Sequence, residues 1–118
     1  MNNPIKAKFV ADMCSEIRKK GIRVDGIGMQ AHWHLNYPSK SELQKAMNIF
    51  REAELKVHLT ELDIGILERP DVQQDADIRR SMRLDPSLNP YTNSVPSIIL
   101  SKHAQKYVDI FEVLLESE

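Results

Sequence analysis

A chain of 118 residues holds one domain at most and can bury roughly two thirds of its unfolded surface around a single core. Its 16 Lys and Arg nearly cancel 17 Asp and Glu, so no broad field draws in nucleic acid or an anionic membrane, and neither is expected as a partner. No apolar run approaches the roughly 20 residues of a membrane span, Met1 leads into polar Asn2 and Asn3 rather than an export signal, and the single cysteine, Cys14, cannot form an internal disulfide.

Ile5, Phe9, Val10, Met13 and Ile17 recur at helical spacing and predict a first helix with that apolar stripe, Cys14 being a small core residue beside Val10 and Ile17. Arg18, Lys19 and Lys20 complement the dipole of its last turn, and Gly21 is a left-handed stop. In IRVDGIGMQAH an extended chain puts Ile27 and Met29 on one face and Gly26, Gly28, Gln30 and His32 on the other, which reads as a strand. Ser39 and Glu42 fit a capping box, and Leu43, Ala46, Met47 and Phe50 supply the stripe of a helix from about 39 to 54. Lys56 to Leu62 is a second strand. Residues 64–96 hold Pro70, Pro86, Pro90 and Pro96, show no period, and predict a loop of a length uncommon without a functional role or mobility. A third helix runs from about 97 to 116 through Leu100, Ala104, Tyr107, Val108, Phe111, Leu114 and Leu115.

Strands alternating with helices of this length predict an α/β fold with parallel pairing, because parallel neighbours need a crossover element. Two parallel strands do not make a stable sheet, so the chain reads as a slice of a barrel or open sheet whose bare edges favour self-association. In such folds the active site forms at the carboxyl ends of strands, where Gln30, His32, Glu61 and Asp63 all fall. Residues two apart share a face, and neighbouring strands lie about 4.8 Å apart, so the two pairs are within reach of each other. His32 donating to Glu61, with Asp63 orienting His32 from its other nitrogen, suits a nucleophilic carboxylate that must stay ionised in a fixed rotamer. The plain alternative is that these are solvated groups at strand ends.

The segments VDGIGMQAH and, some thirty residues later, VHLTELDI resemble the family 10 glycoside hydrolases, endo-1,4-beta-xylanases built on a (β/α)8 TIM barrel. In that family the sixth strand closes with glutamine, a variable residue and histidine, matched by Gln30, Ala31 and His32, and the seventh ends in Thr, Glu, Leu, Asp, matched by Thr60 to Asp63. The resemblance implies that Glu61 is the nucleophile of a retaining mechanism, that His32 and Asp63 support it, and that Gln30 and His32 contact the sugar. LNPYTNSVP and AQKYVDIF look like the seventh loop and helix of a bacterial subset, so residues 1–118 as a whole resemble a fragment of the catalytic domain: a partial (β/α)8 barrel of helix, strand, helix, strand, helix around the sixth and seventh strands. Xylan or xylo-oligosaccharide is the implied partner, and no cofactor or metal is implied. Family members are typically secreted or periplasmic, and no signal peptide is read in this chain.

A retaining glycosidase also needs a second carboxyl group about 5 to 5.5 Å from the nucleophile. In the family it ends the fourth strand in a Trp, Asp, Val, Val, Asn, Glu type of segment, which nothing here matches. Glu42, Glu68 and Glu116 are expected to be surface groups, so the isolated chain is expected to be inactive. Trp33 is a candidate to stack on sugar in a glycone subsite, with packing under the next helix as its alternative; Tyr37 is weaker, His34 is expected in an exposed loop, and His58 is expected to face the helices. Two rival readings use the same residues. A metal-dependent barrel hydrolase would bind zinc through His32, His34, Glu61 and Asp63, and a non-catalytic carbohydrate-binding or assembly module would use the bare sheet edges and Trp33.

Overall fold

The computed structural model describes residues 3–67 and 89–117. In chain order it contains α1 (Pro4–Lys19), β1 (Gly26–Met29), β2 (His32–His34), α2 (Lys40–Glu52), β3 (Lys56–Leu59), β4 (Asp63–Gly65) and α3 (Ser97–Leu115). Pairing is parallel, with β1 against β3 and β2 against β4. Each strand expected from the sequence is thus interrupted and resumes. The expected long loop opens with part of β4, and its middle, including Glu68, lies outside the described residues.

Local chemistry accounts for the helix ends. The side chain of Asn3 accepts a hydrogen bond from the Ile5 amide and caps α1, with Pro4 at the first helical position, where a missing N–H is harmless. Gly21, at φ 80°, and Ile22 then return their amides to the Arg18 and Ile17 carbonyls, a Schellman stop. The Ser39 and Glu42 capping box is present at the start of α2. At its end Glu54 and Leu55 repeat the same stop on Arg51 and Phe50, but with a non-glycine residue at φ 55°. The Arg18 guanidinium joins both stops, donating to the carbonyls of Val24 at 2.8 Å, Ala53 at 2.8 Å and Glu54 at 3.0 Å.

The core comprises Met29, Ala31, Trp33 and Ile64 from the sheets, Leu43, Ala46, Met47 and Phe50 from α2, and smaller contributions from α1 and α3. The stripe expected for α2 is the one buried, and Cys14 is buried as expected. The stripe expected for α1 is not. Ala7, Ala11 and Cys14 form its buried face, while Ile5 and Phe9 are 81% and 70% exposed. Small residues let α1 approach α2 closely, because the interaxial distance follows the side chains at the contact. In α3 the buried face is Lys106, Ile110 and Val113 flanked by Tyr107 and Leu114, and Leu100, Val108, Phe111 and Leu115 are exposed. Apolar residues occupy both sides of α3, so periodicity alone does not choose the face that packs.

Candidate active site

The site is made where the two strand pairs change register. Met29 pairs with Leu59 and His32 with Asp63, so Gln30 and Ala31 on one strand lie opposite Thr60, Glu61 and Leu62 on the other. That is one extra residue, a bulge, of the kind that re-aims side chains beside active sites. The amides of Thr60 and Glu61 still donate to the carbonyls of Met29 and Gln30, and Asp63 donates to Ala31. Opposite the extra residue, buried Ala31 takes up φ 66°, a region an L-residue seldom adopts. Leu59, Leu62 and Ile64 pack into the core from this stretch, while Thr60, Glu61 and Asp63 are exposed on the other face.

His32 then reaches across to the neighbouring strand with both ring nitrogens. Its Nδ1 lies 3.0 Å from Oδ1 of Asp63 and its Nε2 lies 3.2 Å from Oε2 of Glu61. Two ionised carboxylates can both accept only if the ring carries both protons, so the geometry favours the imidazolium. The pKa of His32 is accordingly raised above the ordinary 6.5, first by the hydrogen bond to Asp63 and with Glu61 adding to it, against some desolvation. The result is an exposed carboxylate at a strand end, braced by a cationic ring that a second carboxylate holds in place. Glycine clears the ground beneath it: a Cβ on Gly28 would stand 3.2 Å from Cγ2 of Thr60, and one on Gly26 would stand 2.6 Å from the Lys56 carbonyl oxygen.

Of the sequence-named residues, His32, Glu61 and Asp63 are brought together, and Gln30 is exposed in the break between β1 and β2. Trp33 follows the second of its two readings, packing beneath the helices. It is 3% exposed and belongs to the core, because the chain resumes as β2 and pairs Trp33 with Ile64 on the helix-facing side. A stacking platform for sugar is therefore not what this residue offers. His34 lies within β2 rather than in a loop, half-buried and stacked on Tyr37 with ring centroids 5.6 Å apart. His58 is exposed, on the face opposite Val57 and Leu59, so it points away from the helices; counting parity back from Glu61 fails because the bulge lies between them. Among the described residues no group of three or more His, Cys, Asp and Glu is arranged to hold a metal ion.

Two contacts from α3 carry no sequence signal. The Nε2–H of His103 donates to the Ile64 carbonyl at 2.9 Å, and the buried Lys106 donates to the Pro38 carbonyl. Burial holds the Lys106 pKa below its ordinary value. Both bonds end on backbone atoms, which no side-chain pattern reveals.

Fold and site together define an α/β chain with a histidine and two carboxylates at the carboxyl ends of parallel strands. Residues 1–118 match the profile of Glycosyl hydrolase family 10, and the chain belongs to that family. It is 30% identical over 113 residues to endo-1,4-beta-xylanase A of Xylanibacter ruminicola, an alignment covering 96% of this chain and 31% of that protein. A GH10 endoxylanase retrieved from a sugarcane soil metagenome superposes with a TM-score of 0.80 at 30% identity, over 98% of this chain and 31% of that one. Xylanase10C of Cellvibrio japonicus, as a mutant in complex with xylopentaose, superposes with a TM-score of 0.69 at 25% identity, over 95% of this chain and 20% of that one. The chain thus spans 31% or less of the length of these relatives, and its structural neighbours are (β/α)8 barrels.

Proposed function

We propose that this chain carries the nucleophile of a retaining endo-1,4-beta-xylanase on a segment equivalent to the sixth and seventh strands of the barrel and their flanking helices. Glu61 attacks the anomeric carbon of a xylosyl unit, the bond to the leaving sugar oxygen breaks as a general acid protonates that oxygen, and a glycosyl ester forms on Glu61. Water, deprotonated by the same group acting as base, then attacks the anomeric carbon and frees the carboxylate. His32 stabilises the negative charge on Glu61 before attack and after ester cleavage, Asp63 fixes the ring, and Gln30 contacts the sugar at the cleavage point. The observation that carries this reading is the Glu61, His32, Asp63 chain of contacts at strand ends, in a sequence that matches family 10 throughout.

The acid is expected from the segment that ends the family's fourth strand, which no stretch of this sequence matches. Asp63 is bonded to His32, Glu42 is bonded within the capping box of α2, and Glu116 caps the end of α3. The isolated chain is therefore inactive, since losing the general acid removes about 10² to 10⁴ in rate even before the lost substrate groove is counted.

The test is a hybrid. The 113 aligned residues of the Xylanibacter ruminicola enzyme are replaced by the matching residues of this chain, and release of reducing ends from xylan is measured. Activity that disappears in Glu61→Ala supports the proposal, and a hybrid as active with Glu61→Ala as without it refutes it. Reducing ends released by the isolated chain in a Glu61-dependent way would overturn the statement on inactivity alone.

A further inference from the structure

We propose that His103, on α3, is a positioning residue for this site: by holding the main chain of β4 at Ile64 it keeps Asp63 in place, and through Asp63 it keeps His32 against Glu61. The proposal rests on the reading of Glu61 given above.

Little else among the described residues holds β4. It is a strand of three residues, and its one partner among the described residues, β2, is also three residues long. Two-stranded pairs are marginal by themselves and depend on packing against a helix. Asp63 stands at the first position of β4 with its side chain exposed, and Ile64, the next residue, is buried against the core. The side chain that orients His32 is therefore mounted one residue from the point where α3 grips the strand.

His103 supplies that grip with a directional bond. A carbonyl only accepts, so the contact at 2.9 Å requires the proton of His103 on Nε2. Tyr107, one turn further along α3, meets the His103 ring edge to face at 5.2 Å and limits its rotation. The bond to Pro38 from Lys106 ties the same helix to the loop that follows β2. One helix thus fastens β4 itself and the loop that follows β2. Without the imidazole, a partly buried carbonyl loses this donor, the hold of α3 on β4 weakens, and the contacts of His32 loosen.

The experiment follows the ring signals of His32 by NMR through a pH titration of the 118-residue chain. In the parent, Asp63 and Glu61 place the midpoint above 6.5. His103→Leu is expected to move it back toward 6.5, and His103→Gln, whose amide N–H reaches the position of Nε2, is expected to restore the parent value. A folded His103→Leu chain with an unchanged His32 midpoint overturns the proposal, as does an equal shift in the leucine and glutamine variants. Should His103→Leu fail to fold, His103→Asn, shorter by a methylene, serves as the variant without the bond. In the hybrid enzyme the same variants are expected to lower kcat with KM unchanged for leucine and to recover with glutamine. The titration reports on positioning whether or not Glu61 is the nucleophile, whereas retained activity in the Glu61→Ala hybrid would fault the mechanism and leave the positioning result standing.

Discussion

His32 and Asp63 are register partners across the β2 and β4 pair, and Nδ1 of the one lies 3.0 Å from Oδ1 of the other. This bond is the leading cause of the raised His32 pKa. A histidine raised in the folded state contributes stability that is fully present below its unfolded value of about 6.5 and lost as pH rises through the folded value. Asp63→Asn keeps the shape and removes the charge. Its loss of stability relative to the parent should therefore be larger at about pH 6 than at about pH 9, as measured by urea melts at each pH. The His32 side chain is 40% exposed, so solvent screening keeps the difference below about 1 kcal/mol. Equal losses at the two pH values would contradict the coupling.

Gly26 and Gly28 face the same side of β1 but are not equally crowded. Gly26→Ala drives a Cβ to 2.6 Å from a backbone oxygen that cannot yield without moving β3, whereas Gly28→Ala meets a Thr60 methyl at 3.2 Å that can shift slightly. Gly26→Ala should destabilise by about 1 to 3 kcal/mol, more than Gly28→Ala does, in parallel denaturant titrations.

Glu54 occupies, at φ 55°, the position that Gly21 occupies at φ 80° in the otherwise equivalent stop of α1. Glu54→Gly removes the penalty of a Cβ in the left-handed region and leaves the carbonyl that Arg18 uses. It should raise stability by about 0.5 to 1 kcal/mol, read as a higher midpoint in thermal or urea unfolding.

Arg18→Lys tests the three-carbonyl clamp. A lysine keeps the charge at the end of α1 but cannot present a planar fork to Val24, Ala53 and Glu54 together. A loss of about 1 to 3 kcal/mol is expected, and an unchanged melting curve would mean that only the charge of Arg18 matters.

Much of this molecule is legible in one dimension because the properties involved are local. The capping box at Ser39, the stripe of α2 and the turn at Gly21 each depend on residues within a few positions of one another, where spacing and backbone preference decide the outcome. The meeting of His32 with Glu61 and Asp63 is legible too, because strand parity and the closeness of parallel neighbours are nearly invariant. Packing faces were a different matter. Helices α1 and α3 carry apolar residues on more than one side, and only the approach of α2 selects Ala7, Ala11 and Cys14 in the first and Ile110 and Val113 in the second. His58 turned away from the helices because one extra residue around Glu61 resets the alternation of its strand, and a bulge exists only in the pairing of two strands, whereas Trp33 keeps the parity of Met29 and Ala31 and lies in the core with them. The bonds from His103 to Ile64 and from Lys106 to Pro38 likewise span 39 and 68 positions and end on carbonyl oxygens that every residue carries. Composition and periodicity thus determined which segments are helix or strand and which acids stand at the strand ends, while the tertiary structure decided which faces meet, because that choice is made by contacts between segments distant in the chain.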